Sequence, residues 1–325
     1  MSDAAEPLEV STKLFGWNGM TCQIPFHWDV TSVSGSAKSG YFAFDDEQDR
    51  RLEIKYERAG RMRKPDLDRT LSGYFATLKK KAKSGQELRL DDSVRVPGVE
   101  TMPAEYEVRS YGWEADAITR GLIWHCSTCH RIVIAECRAR KNRVNTKEMA
   151  QVLTSIRCHC EGDTAPWAVF DFEVLVPREL ELGLSRLQAG LISFSFSAKK
   201  RRLVVDRLGM GQVVMKHSSL DTYVRDVHYK KLRKIRLRFQ PVNWNGHEGF
   251  RFEGEHKRLY DWIPALGARI RAWRVSDHIA GLTWFEEPTN RIYIIRAEGP
   301  DCMELAEKVA ASARSRIAGE IPGNR

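Results

Sequence analysis

The stretch WEADAITRGLIWHCSTCHRIVI (residues 113–134) is answered 160 residues later by WRVSDHIAGLTWFEEPTNRIYI (residues 273–294). Trp113/Trp273, Gly121/Gly281, Leu122/Leu282, Trp124/Trp284, Arg131/Arg291, Ile132/Ile292 and Ile134/Ile294 are identical, seven of the 22 aligned positions. In each copy two runs rich in Ile, Val and Trp flank a short polar segment, the pattern of an antiparallel hairpin. A repeat this long indicates a duplicated domain rather than a solenoid of about 20–50-residue units.

Upstream the correspondence continues. GYFAF from Gly40 answers GLISF from Gly190, and RRLEI from Arg50 answers RRLVV from Arg201. QIP ending at Pro25 answers LVP ending at Pro177, and Trp17 and Trp167 open the two copies. The offset grows from about 150 to 160, which places an insertion between Val205 and Trp273. MTCQIP and FEVLVP read as strands ending at a proline, a residue suited to a strand terminus. YFAFDD with RRLEIKY, and LISFSF with RRLVVDR, read as further hairpins.

Helical periodicity follows in each half: Leu67, Leu71, Tyr74, Phe75 and Leu78 in the first, Leu220, Tyr223, Val224 and Val227 in the second. Four more strands come next, and then a closing helix. Asn145 with Glu148, and Asp301 with Glu304, have N-cap and N3 spacing. Met149, Val152, Leu153 and Ile156 line one face of the first closing helix. The expected class is α+β, two duplicated domains, each an antiparallel sheet covered by helices. The expected boundaries are a disordered tail over 1–13, a first repeat over 14–160, a linker over 161–166, a second repeat over 167–320 and a tail over 321–325.

This order, three strands, helix, four strands, helix, with the opening strand and the GY-AF hairpin, resembles the PsbP-like fold, in tandem over nearly the whole chain. The resemblance implies a macromolecule-binding role, because known members of that fold mostly bind other macromolecules. Those members usually carry a single copy, so the resemblance assigns no partner and no site residue.

The internal repeat also tests the cysteines. Cys126 and Cys129 align with Glu286 and Thr289, so they sit at a hairpin tip where the fold does not require them. Cys137 falls inside the returning strand and reads as an ordinary core thiol. From the tip, seven strand residues lead away by ~23 Å and eleven helical residues return by ~17 Å. That brings Cys158 and Cys160 back toward Cys126 and Cys129. The second copy has RIAGEI at the matching place, so both cysteine pairs are missing from it together. Four thiolates suit a closed structural zinc site, with His130 or His159 as substitutes for a thiolate. Free thiols are the alternative. A redox pair is the third reading, although this Cys-x-x-Cys lies between strands and not at a helix N-terminus. No other cofactor is expected.

The formal charge is +9, and residues 199–238 carry 13 Lys or Arg against three Asp. Lys199, Lys200, Arg201, Lys230, Lys231, Arg233, Lys234, Arg236 and Arg238 form the candidate basic face, for nucleic acid or another acidic partner. The plainer reading is a solvated surface. RLGMGQ from Arg207 lacks the third glycine of a dinucleotide fingerprint and reads as a strand-to-helix turn. Seven cysteines, an odd number, imply reduced thiols and a cytoplasmic location. The acidic, polar N-terminus is unlike a signal peptide, and no run approaches the ~18 apolar residues of a membrane span. No paired carboxylates, nucleophile elbow or phosphate loop stands at a recognisable spacing. The expectation is a non-enzymatic binding or scaffold protein acting on an unidentified protein partner. A nucleic-acid-binding protein and an enzyme with an unrecognised site are the alternatives.

Overall fold

The computed structural model describes residues 11–60, 65–82, 87–188, 190–228, 235–256 and 278–316, and most of them lie in antiparallel sheets. The chain divides into two compact units.

The first unit opens with the hairpin β1 (Thr12–Trp17) and β2 (Met20–Pro25). Asn18 and Gly19 turn it at φ 51° and 75°, the left-handed pair that suits a two-residue hairpin loop. The strand begins inside the segment assigned to the tail: Thr12 and Lys13 belong to β1, and the Lys13 ammonium lies 2.6 Å from Asp29. Then follow β3 (Asp29–Gly35), β4 (Ser39–Asp45), β5 (Arg50–Arg58), α1 (Leu67–Lys81), β6 (Arg89–Asp91), β7 (Tyr106–Glu114), β8 (Ala117–Cys126), β9 (Arg131–Arg140) and α2 (Thr146–Ser155). The sheet order is β3-β4-β5-β9-β8-β7-β6.

Side chains of a strand alternate between its faces. Leu67 and Leu71 of α1 pack on Tyr111 and Ile123, with Trp113, Ile132 and Ile134 around them. The other parity, Leu122, Trp124 and Cys126 on β8 and Val133 and Ala135 on β9, is fully buried. Helix α2 packs against β2, β8 and β9. The Asn145 side chain accepts the Glu148 amide at 3.1 Å, and Met149, Val152, Leu153 and Ile156 are buried. The end of α2 is pinned to β2, where Thr21 and Arg157 exchange backbone hydrogen bonds of 2.9 and 2.8 Å.

The expected linker is partly strand: β10 (Thr164–Val169) starts inside it, and Ala168 of β10 pairs with Gly16. Residues 166–170 belong to the first unit, and the second contains β11 (Phe172–Pro177), β12 (Glu181–Gln188), β13 (Leu191–Ala198) and β14 (Arg201–Leu208). Helix α3 (Gly211–His217) and the single turn α4 (Leu220–Thr222) follow, the latter running into a π-helical turn over Tyr223–His228. Then come β15 (Ile235–Trp244), β16 (His247–His256), β17 (His278–Glu286), β18 (Arg291–Glu298), α5 (Cys302–Ala310) and β19 (Arg314–Ser315), which pairs with β11. The sheet order is β12-β13-β14-β18-β17-β16-β15. Leu220 and Val224 pack on Phe252, Ile279 and Ile294. Asp301 precedes α5 without the expected side-chain cap; it adopts φ 53°, and its carboxylate lies 3.4 Å from Arg201 instead.

The repeated glycine has one physical reason in both units. Gly121 stands opposite Tyr111, whose ring would lie 2.5 Å from an added Cβ. Gly281 stands opposite Phe252, whose ring would lie 2.4 Å from one. An aromatic ring laid across a strand glycine covers bare backbone and pins the register. Of the repeated tryptophans, Trp124 and Trp284 are buried, and Trp17 meets Trp167 edge-on at 5.2 Å. Trp273 and Trp262 lie outside the described residues, and Trp244 packs 6.3 Å from Trp284. Among the described residues no helix is long and apolar enough to cross a membrane.

Candidate metal centre

The turn joining β8 to β9 is tight. The His130 amide donates to the Cys126 carbonyl at 3.0 Å, and His130 takes φ 57°, reversing the chain. Its base is tied to the approach of β7, because the Ser127 amide donates to the Glu105 carbonyl at 3.0 Å. Cys126 has the parity of Trp124 and so faces the layer that holds α2. The pinned Arg157 then delivers the next residues, Cys158 and His159, to this turn.

Four donor atoms converge there: Cys126 Sγ, Cys129 Sγ, Cys158 Sγ and a His159 ring nitrogen, all within 4.8 Å of one another. Cys129 Sγ lies 3.4 Å from Cys158 Sγ. His159 Nδ1 lies 3.6 Å from Cys126 Sγ and 3.5 Å from Cys158 Sγ. A tetrahedral zinc with Zn–S of about 2.3 Å and Zn–N of about 2.0–2.1 Å requires donor–donor edges of roughly 3.5–3.8 Å. The three contacts of 3.4–3.6 Å match that requirement to within a few tenths of an ångström.

The surroundings suit thiolates. The Cys129 amide points at Cys126 Sγ from 3.5 Å. Arg131, buried, donates to the carbonyls of Cys158, Asn18 (2.9 Å) and Ala37 (3.1 Å), and its guanidinium stacks on Tyr56 at 4.8 Å. It therefore clamps the Cys158 backbone and places a positive charge beside the sulfurs. The Cys158 amide donates to the Tyr106 hydroxyl at 3.0 Å, and the Cys158 thiol lies 3.3 Å from that oxygen. Hydrogen bonding from Cys158, the Arg131 amide and Cys126, with the Arg131 charge, brings the Cys129 thiol down to about 5. Sharing a proton with Cys129, together with burial, pushes Cys158 up, and burial pushes Cys126 up. The second ring nitrogen of His159 lies 3.8 Å from the Glu105 carboxylate, the outer partner that orients a ligating imidazole.

Two assignments from sequence change. Cys160 is not in the cluster; its thiol donates to the Gly19 carbonyl at 3.1 Å, and His159 takes the fourth place. The chain bends at Cys158 and His159, so strand alternation does not hold there and both neighbours reach the turn. His130 also stays out: the left-handed backbone of the turn carries its ring toward His125, 6.3 Å away. Tyr106, Glu105 and Arg131 had no signal in the sequence as parts of a site, beyond the repetition of Arg131 as Arg291.

The second unit fills the corresponding corner with oxygen chemistry. Glu286 receives the Thr289 hydroxyl, and its Oε2 lies 3.1 Å from the Tyr293 hydroxyl. Tyr293 also meets Ser315 at 2.6 Å, and His247 stands 3.7 Å from Glu286.

The candidate basic face is only partly described: Lys230, Lys231, Arg233 and Lys234 lie outside the described residues. Lys199 and Lys200 occupy the turn between β13 and β14. Arg201 is ion-paired with Glu179 (2.8 Å) and Asp301. Arg236 and Arg238 stand directly opposite Glu255 and Glu253 in the β15–β16 pair. They line an open cleft of about 800 Å³ with His278, Cys302 and Met303. This end of the second sheet is of mixed charge.

No family model matches the chain, and no curated protein matches it. Among solved structures it is similar to MucB, in the crystal structure of MucB in complex with MucA(peri). The identity is 9% over 94% of this chain and 93% of that chain, with a TM-score of 0.18. At that score the likeness carries no argument.

Proposed function

We propose that the chain is a non-enzymatic binding protein of two duplicated PsbP-like domains, the first held by a structural zinc ion on Cys126, Cys129, Cys158 and His159. The observation that carries the metal reading is the convergence of three sulfurs and one imidazole nitrogen from two distant segments, all within 4.8 Å of one another. Bound there, zinc would tie the β8–β9 turn to the segment after α2, and four protein donors leave no position for water or substrate. The chain's own residues do the rest: Arg131 and Tyr106 hold the Cys158 backbone, and the Glu105 carboxylate stands 3.8 Å from the second ring nitrogen of His159.

The duplication is supported by the matching strand order of the two seven-stranded sheets and by the glycine–aromatic pairs Gly121–Tyr111 and Gly281–Phe252. Five strands and not three precede α1 in the first unit, so the PsbP-like reading is supported by the helix, four strands, helix part of its order. The open cleft of the second unit is the place where a partner segment of mixed charge would fit.

Metal analysis by mass spectrometry on untagged protein purified without chelator tests the zinc reading. About one zinc per chain, kept in Cys160→Ser and lost in Cys126→Ser, is expected for a four-ligand site. Metal-free protein with all seven thiols open to titration refutes it.

A further inference from the structure

We infer that Cys129 and Cys158 are the oxidation site of this centre: a hydroperoxide joins them as a disulfide and, resting on the zinc reading above, the ion is then released. The two sulfurs already stand 3.4 Å apart. A disulfide of about 2.05 Å needs them to close by only about 1.4 Å. Exposure sets the order of events. Cys129 is partly exposed, whereas Cys126 and Cys158 are buried, so a small oxidant in solution meets Cys129 first. The resolving thiol is held in waiting: Arg131 and Tyr106 grip the Cys158 backbone from two sides, and the Thr21–Arg157 pair fixes the residue before it. Cys160, two residues on, points instead to the Gly19 carbonyl.

The chemistry balances without a further reagent. The Cys129 sulfur attacks one peroxide oxygen, the O–O bond breaks, and a sulfenic acid and one water form. The Cys158 sulfur then attacks the Cys129 sulfur, the S–O bond breaks, and hydroxide leaves with the thiol proton as a second water. Two thiols and one hydrogen peroxide become one disulfide and two waters. A zinc ion would fall from four protein donors to two, Cys126 and His159, too few to hold it.

The experiment treats the full chain with one to two equivalents of hydrogen peroxide. A chromogenic chelator follows zinc, and peptide mapping after alkylation follows the thiols. A Cys129–Cys158 cross-linked peptide, formed at the rate of zinc release, reversed by dithiothreitol and unchanged in Cys160→Ser, is the expected result. A first cross-link between Cys126 and Cys129, or between Cys158 and Cys160, overturns the inference, as does first oxidation at another cysteine. Zinc content measured before peroxide separates the two claims. Zinc-free protein that still links Cys129 to Cys158 refutes the zinc reading and upholds the oxidation site; zinc-bearing protein that links other thiols does the reverse.

Discussion

Cys158→Ser puts the metal reading at greatest risk. Cys158 is fully buried, and its sulfur touches Cys129 at 3.4 Å, His159 at 3.5 Å and the Tyr106 hydroxyl at 3.3 Å. Serine is nearly isosteric and retains a hydroxyl for Tyr106, so little packing is lost, but it withdraws one soft ligand of the four. An ion held at about 1,000 times its dissociation constant contributes ~4 kcal/mol to the folded state. For a domain of about 150–250 residues each kcal/mol moves the melting temperature by ~2–4 °C, so the loss is about 8–16 °C. Scanning calorimetry under reducing conditions measures the shift, and hydrogen exchange by mass spectrometry assigns it. Amides of the β8–β9 turn and the end of α2 should open, while the second unit, with Glu286, Thr289 and Ser315 in that corner, should not change. Chelation of the parent should reproduce the shift. Unchanged melting in both the variant and the chelated parent refutes the reasoning.

Further outcomes follow from single contacts. Glu105→Gln should weaken zinc affinity about tenfold, the low end of the usual outer-partner effect, because the contact is 3.8 Å and partly exposed; competition with a chelator measures it. Glu136 is buried on the α1 side of the first sheet, with Tyr74 (2.7 Å), Tyr111 (2.9 Å) and Trp113 (3.3 Å) all donating to its Oε1. Burial raises its carboxyl above the ordinary value, so the folded chain holds that proton more tightly than the unfolded chain. The stability this group contributes is full below the ordinary glutamate range and is lost as pH rises through the raised value. Glu136→Gln keeps the acceptor and removes the titration, so urea unfolding should favour the variant increasingly as pH rises through that window; a pH-independent difference would sink this account. An alanine Cβ at Gly281 would stand 2.4 Å from the Ile295 carbonyl oxygen and the Phe252 ring. Gly281→Ala should therefore cost the second unit ~1–3 kcal/mol in chemical denaturation. Gly73→Ala, in open space on α1, should instead stabilise by about 0.5–1 kcal/mol.

Local pattern carried far in this chain. Alternating apolar residues placed the hairpins β4–β5 and β8–β9, because the period of two is written directly into a strand that buries one face. Asn145 announced the start of α2 because its cap bond spans only three residues. The same spacing signal failed at Asp301, where a left-handed backbone turns the carboxylate toward Arg201, a residue 100 positions away that local spacing does not reveal. Leu220 and Val224 are core residues as their periodicity implies, yet the chain there is one α-turn and a π-turn packed on Phe252 and Ile279. The side chain of Val227 lies outside what the structure describes. Glu136, a charge inside an apolar strand, carried no local sign that two tyrosines and a tryptophan would surround it.

For the metal centre the division is sharpest. The sequence by itself pointed to the return of Cys158 toward Cys126 and Cys129, because a strand leading away is followed by a helix running back. β9 and α2 are ten residues each, so rises of ~33 and ~15 Å do not cancel and tertiary packing completes the return. The second half of the sequence lacks these cysteines at the matching positions, which set them apart from residues that the strands themselves require. Only the tertiary structure decided between His159 and Cys160, because the chain bends at Cys158 and His159 and strand alternation does not hold there. The backbone bonds between Arg157 and Thr21 and the clamp of Arg131 on the Cys158 carbonyl set which side faces the sulfurs. Both are contacts between residues far apart in the chain, and their free energy exists only once the sheet and α2 have come together.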